Sequence, residues 1–457
     1  MRFLVSNNLF LSSTPQLFAA WKVLLDTTDD AGIAEYGSDF RSHARLSTEH
    51  NNLAGDRLCD HLHDGMGFIP GHLQVTRLLE ASLQSVDSSI ALPYWEYTID
   101  VEEVIANHDG NFQHWRKMLP FTDKWFGDAR VETGHVETGT FADFRLYGNE
   151  FTTKTNAYGL IRSPWNNLGD PRFARYFGGG SALGEAPVIF VDAAQMSTCE
   201  VLAETLAAST DLGTFNGEAA GQAHGPIHMF TGGQSNTRNL VSRMAALGFK
   251  STTNIHNQLW GNGVTFIFNT VKSLWRYHLF QCPEACTMDT PQEECLCVCD
   301  ADEIMSYRQD GIWNDLLSTW AEGMNDVVQF QDGPEITTQN GNKTMHQMFE
   351  LMCSYHGVAM GDHASSGATS DPSFWVIHGT VERWLQLIRM QDGFTTEDWS
   401  VPVFTSNIHP YQDSCSGHHQ DDKLVFGEVD GHSFTNGEYY AYLTPKEDNL
   451  PYVYGES

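Results

Sequence analysis

Cys59-Asp60-His61-Leu62-His63-Asp64-Gly65-Met66-Gly67-Phe68-Ile69-Pro70-Gly71-His72 sets His63 and His72 nine residues apart across a Gly/Pro turn. A turn of this kind can bring two imidazoles from separate elements onto one ion. After it, Val75, Leu78, Leu79, Leu83 and Val86 recur at helical spacing. His72 is therefore predicted to stand at the start of an amphipathic helix, with its ring on the inward face. A single histidine pair is equally compatible with an ordinary core or surface role. Residues farther along the chain decide between these roles.

His224-Gly225-Pro226-Ile227-His228 puts two imidazoles at i and i+4, on one helical face. Pro226 fits only the first turn of that helix, which leaves His224 at its N-terminal edge, and Gly232-Gly233 closes the element. Asp371-Pro372-Ser373-Phe374-Trp375-Val376-Ile377-His378 then runs into an amphipathic pattern ending near Arg389. Upstream, Thr14 and Pro15 open a helical pattern through Leu17, Phe18, Trp21, Leu24 and Leu25. More helical patterns lie at Asn239 to Leu247 and Asp310 to Asp326, and residues from about 100 to 220 read as long loops with short elements. No internal repeat and no linker divides the chain.

Composition narrows the function classes. Against 26 Lys and Arg stand 58 Asp and Glu, a net charge of −32 that repels phosphate backbones and anionic lipid surfaces. Nucleic acid and membrane are thereby excluded as partners, and with 41% hydrophobic residues there is still no apolar run long enough to span a bilayer. Of nine cysteines, Cys282, Cys286, Cys295, Cys297 and Cys299 fall within eighteen positions, as in a disulfide knot or a metal knuckle. Met1-Arg2 begins like a leader, but Ser6, Asn7 and Asn8 interrupt the apolar stretch. The cysteines and the sequon Asn342-Lys343-Thr344 point to a secreted protein or an oxidising compartment.

In this order, the three histidine pieces resemble the type-3 copper family of tyrosinases, catechol oxidases and hemocyanins. Leu92-Pro93-Tyr94-Trp95-Glu96-Tyr97 and Tyr452-Val453-Tyr454 are similar to further signatures of that family. The resemblance implies a mainly α fold, with a tyrosinase-like central four-helix bundle holding a dinuclear copper site, long loops and a Cys-rich insertion. Residues 1–457 are then one copper domain, interrupted at about 250–365 between copper B ligands and without a separate C-terminal shielding domain. His63 and His72 fall to copper A, and His224, His228 and His378 to copper B. The remaining copper A ligand is His50 or His43, seven apart and able to share a helical face. His50, leading into the Leu53-Ala54-Gly55 turn, is preferred, with His61 a third candidate. His346, His356, His363, His418 and His419 read as structural or surface residues, although His363 is near enough to the last motif to line the pocket.

Three neutral imidazoles per ion suit copper in both oxidation states and leave a position open for dioxygen or substrate. Two facing ions can each supply one electron to dioxygen, and a catechol returns two. The implied activity is oxidation of o-diphenols to o-quinones by a polyphenol oxidase of catechol oxidase or tyrosinase type, with dioxygen and a small phenol as partners. The alternative is a hemocyanin-like dioxygen carrier with no phenol turnover. Gly225 stands where family members that hydroxylate monophenols often carry Asn, which favours o-diphenols, and Glu218 is a weak substitute for positioning water. Many family members also join a Cys to a copper A histidine by a thioether. Here the Cys-x-His spacing aims Cys59 at His61, so Cys59 reads as a thioether partner or a buried thiol. Disulfides among the clustered cysteines and Cys199, Cys353 or Cys415 are preferred to a zinc knuckle.

Overall fold

The computed structural model describes residues 14–177, 196–234, 249–250, 271–306, 329–330, 346–347, 349–350, 353, 360–399 and 415–445. The patterns at 239–247 and 310–326, the sequon, His356 and the Tyr452–Tyr454 signature lie outside the described residues. The mainly α expectation holds. The helices are α1 (Thr14–Asp26), α2 (Asp29–Tyr36), α3 (His43–Ala54), α4 (Phe68–Val86), α5 (Tyr97–Asn107), α6 (Cys199–Ala208), α7 (Leu212–Glu218), α8 (Gly225–Gly232), α9 (Ala301–Ser306), α10 (Ser373–Met390) and α11 (Asn436–Tyr442). Among the described residues, Phe249–Lys250 and Gln329–Phe330 alone form strands, paired antiparallel.

α4 is the central element. It buries residues on every face, and α1, α3, α10 and α11 all pack against it. α1 contributes Leu17, Ala20, Trp21 and Leu24, which recur at helical spacing and are all buried. Ser42 caps α3 by accepting a bond from the Arg45 N–H at 3.1 Å. α4 opens at Phe68 with Pro70 inside its first turn, so His72 sits a full turn in rather than at the start. The short elements expected between about 100 and 220 include α6 and α7, which Thr198 and Asp211 cap through the N–H groups of Val201 and Thr214. Between 129 and 174 the chain is held by isolated bridges such as His135 with Ala174 and Tyr147 with Leu160.

Two buried arginines on that loop region fix the segment that leads into α10. Arg162 meets Asp362 in a fork, Nε to Oδ1 at 2.6 Å and a terminal nitrogen to Oδ2 at 2.9 Å. Arg175 grips Asp371 in the same way, at 2.6 and 2.8 Å. Remaining guanidinium donors reach the carbonyls of Leu168, Arg172 and Gly127, so both pairs are fully hydrogen-bonded despite burial. Burial alone would raise the Asp371 carboxyl, but Arg175 outweighs it and holds the group at about 2. Asp371 also accepts the N–H of Ser373, the first residue of α10, at 2.9 Å.

Gln234 and Met360, 126 positions apart in the chain, lie side by side. The two residues form an antiparallel bridge, and the Gly361 N–H donates to the Gly233 carbonyl at 3.0 Å. Gly361 is obligatory there, because a Cβ would collide with the Gly232 carbonyl. The cysteines do not form a zinc knuckle: Cys282–Cys297, Cys286–Cys295, Cys299–Cys353 and Cys59–Cys415 are disulfides. Arg162→Met leaves Asp362 buried beside its lost partner and is expected to cost about 3–5 kcal/mol. A lowered thermal midpoint, partly recovered by adding Asp362→Leu, is the expected result; an unchanged midpoint would refute this account of the fork.

Candidate metal centre

His50 lies on α3, His63 in the loop before α4, and His72 on α4, and their ligand nitrogens come within 4.8 Å of one another. His224 caps α8, His228 lies one turn into it and His378 sits in α10; these three meet the same 4.8 Å limit. The two groups share a wall. His72 and His378 stack with ring centres 4.3 Å apart and planes 15° from parallel.

Each ring but one is aimed by a bond at Nδ1. The His50 Nδ1–H donates to the Ser366 carbonyl at 2.7 Å, His72 to Phe68 at 2.8 Å, His224 to Ala219 at 2.8 Å and His228 to His363 at 3.1 Å. His63 donates instead to the Asp60 carboxylate, at 3.0 and 3.1 Å to its two oxygens. With Nδ1 carrying the proton, the Nε2 lone pair is left free. The Nε2 atoms of His50, His72, His228 and His378 are buried with no hydrogen-bond partner. Buried polar atoms are seldom orphaned, so four in one place mark a site built for something that accepts lone pairs.

Electrostatics agree. Burial pushes His50 and His224 down to about 3, and burial followed by the proximity of the other rings lowers His72, His228 and His378 as well. These rings stay neutral at physiological pH, the form that ligates metal. Each group offers three nitrogens and no carboxylate, a donor set suited to copper or zinc and unsuited to magnesium or calcium. Phe374 packs 4.2 Å from His378 and 5.2 Å from His50, and Phe68 lies 5.0 Å from His224, which gives the centre an apolar lining.

His43 does not join these rings. It stands at the first residue of α3, about two turns from His50 along the axis. There it takes the Trp21 indole N–H at 3.2 Å and packs against Phe144. His61 turns away, with Nδ1 bonded to the Ser416 carbonyl at 2.9 Å. The thioether and free-thiol readings of Cys59 are both corrected by its disulfide to Cys415, and Cys199 is the free and exposed cysteine instead. Cys353 and Cys415 pair as disulfides, whereas Cys199 does not.

Asp60 and Ser366 have no place among the site residues expected from the sequence, whereas His363, read there as structural or as lining the pocket, stands against His228. Asp60 stands three residues before His63, and that spacing is a usable signal. Ser366 acts through its backbone, which no sequence pattern reveals. His363 is 1% exposed, its ring lies 4.4 Å from that of His228, and neither of its nitrogens has a hydrogen-bond partner.

Burial also pushes His43 and His363 down to about 4 from 6.5. Between these values the unfolded chain binds protons that the folded chain refuses, so stability rises with pH there and is lost as pH falls from 6.5 towards 4. Metal-free protein followed by chemical denaturation is expected to show this slope, with a shallower one for His43→Leu. A slope unchanged by that substitution would count against a neutral buried His43.

Residues 35–247 match the family model for the common central domain of tyrosinase. Grixazone synthase of Streptomyces griseus is 36% identical over 72 residues, 16% of this chain and 21% of that protein. The tyrosinase of Streptomyces antibioticus is 29% identical over 110 residues, 22% of this chain and 36% of that protein. A putative tyrosinase-like protein of Caenorhabditis elegans is 27% identical over 88 residues, 19% of this chain and 11% of that protein. The chain thus spans well under two thirds of the length of each of these relatives, and His378 lies beyond the matched domain. The matched domain implies a dinuclear copper centre, and the two imidazole groups have the donors to hold one. By its matched domain and these relatives, the chain carries a tyrosinase-type central domain at residues 35–247 and is similar to the tyrosinase-like type-3 copper proteins.

Proposed function

We propose that the chain is a copper-dependent polyphenol oxidase that oxidises o-diphenols to o-quinones with dioxygen, and that His50, His63, His72, His224, His228 and His378 are its copper ligands. The observation that carries this reading is the pair of three-imidazole groups, joined by the His72 and His378 stack and holding unpartnered Nε2 atoms. The copper pair supplies the transfer of electrons from two catechols to one dioxygen. The protein's share is to fix, shield and select. Backbone carbonyls and Asp60 lock the tautomer of five rings before any metal arrives. Phe68 and Phe374 keep water from the ring faces, which strengthens electrostatic interactions within the site.

Gly225 supports o-diphenols over monophenols, because it offers no side chain to hold a water against a phenol that must lose its proton. A Cβ at that position would meet only the Ala220 carbonyl, at 3.2 Å, so a larger residue needs a small local shift. The four disulfides accord with an oxidising environment. No helix among the described residues is long and apolar enough to cross a membrane.

Oxygen consumption with a simple catechol, measured on copper-loaded and chelator-stripped protein, tests the reading. Uptake is expected only with copper, at two catechols per dioxygen, and is expected to vanish in His378→Ala. Absence of uptake with two coppers bound per chain would replace it with the hemocyanin-like carrier. Gly225→Asn is expected to raise the ratio of monophenol to diphenol rate about tenfold, the worth of one net hydrogen bond. An unchanged ratio would remove Gly225 from the specificity argument.

A further inference from the structure

A buried charge cluster ties the segment between Gln234 and Met360 to the first imidazole group. Residues 271–276 are helical, and Lys272 and Arg276, one turn apart, are both buried. The Lys272 ammonium bridges two carboxylates, at 2.8 Å to Asp60 Oδ2 and 2.5 Å to Asp64 Oδ1. Arg276 stands 3.6 Å from each of the same two carboxylates and donates to the Ala54 carbonyl at the end of α3, at 3.1 Å. Two negative and two positive groups are thus enclosed together, adjacent to His63.

Asp60 is the joint. Oδ1 accepts the N–H groups of Leu62 and His63 at 3.0 Å, while both oxygens face His63 Nδ1. From the opposite side the His418 Nε2–H donates to the Asp60 carbonyl at 2.7 Å, and Cys59 is bonded to Cys415. Without Lys272, the two buried carboxylates would repel each other more strongly, with Arg276 as the nearby cation at longer range. The Asp60 carboxylate plane would lose the contact that keeps both oxygens on His63. Described residues nearby are held by other contacts: Trp275 stacks on the Arg57 guanidinium at 3.9 Å, and the Cys286 N–H donates to Ala157 at 2.7 Å.

We infer that Lys272 is a positioning residue for the copper A half of the centre: through Asp60 it sets the ring of His63, so the helical stretch 271–276 is a working part of the metal site. This inference rests on the copper-centre reading. Removing a group that orients a ligand typically weakens metal binding about 10–100-fold. The test is anaerobic titration of the metal-free full chain with cuprous ion against a competing chelator, followed by air oxidation and electron paramagnetic resonance.

Lys272→Met and Lys272→Gln are expected to bind one ion as the parent does and the second about 10–100-fold more weakly. After oxidation they should show the signal of an isolated cupric ion, which a coupled pair lacks. The glutamine variant, shorter than lysine by one bond, keeps a hydrogen-bond donor without the charge, and serves where the methionine variant does not fold. Lys272→Arg, with the charge retained, should recover most of the second ion. Trp275→Ala loosens the same segment without touching Asp60 and should hold both. Parental affinity for both ions in the neutral variants, equal weakening of the two ions, or the same loss in Trp275→Ala would each overturn the inference. A parent chain binding fewer than two ions would instead overturn the copper-centre reading, and this inference with it.

Discussion

The Asp371 carboxylate is where the architecture and the site converge. Arg175 neutralises it from the loop region, and it accepts the N–H of Ser373, the first residue of the helix that carries His378. Nine residues earlier the twin fork, Arg162 with Asp362, fixes the other end of the same short segment. Between the forks lie the carbonyl of Ser366, which orients His50, and that of His363, which orients His228. One segment thus serves both imidazole groups, and its position is set by paired charges too deeply buried to be exchanged for water. Rings so fixed meet a metal with little left to reorganise.

Local periodicity carries what is legible in the amino-acid sequence. The helical period alone brings His224 and His228 together and puts His378 on a buried face, because both relations span a turn or two. The choice between His50 and His43 has the opposite character. Seven residues apart, they share a face, and only tertiary packing against Trp21 and Phe144 separates them. The partner of Cys59 lies 356 residues away and no local pattern announces it. Within α7, Gly213 and Gly217 weaken the helical pattern, although the caps Thr198 of α6 and Asp211 of α7 are legible. Asp60 is equally visible, but a histidine pattern names the imidazoles and not the carboxylate that aims one of them.

The charge balance takes on a different sense once the fold is known. A chain at −32 has few cations to distribute. Arg162, Arg175, Lys272 and Arg276 are withdrawn into the interior, each against a carboxylate. Against Asp362, Asp371, Asp60 and Asp64 these four cations cancel in charge, so the struts hold none of the net charge and the −32 falls on the rest of the chain.

The bond between Cys59 and Cys415 also fixes an order of events during biosynthesis. A ribosome delivers Cys59 long before its partner, which comes 356 residues later. Until then the loop bearing His63 is without both its covalent anchor and the His418 bond to Asp60. Maturation of the first imidazole group is consequently post-translational with respect to nearly the whole chain, and it depends on the redox state of the compartment in which synthesis ends.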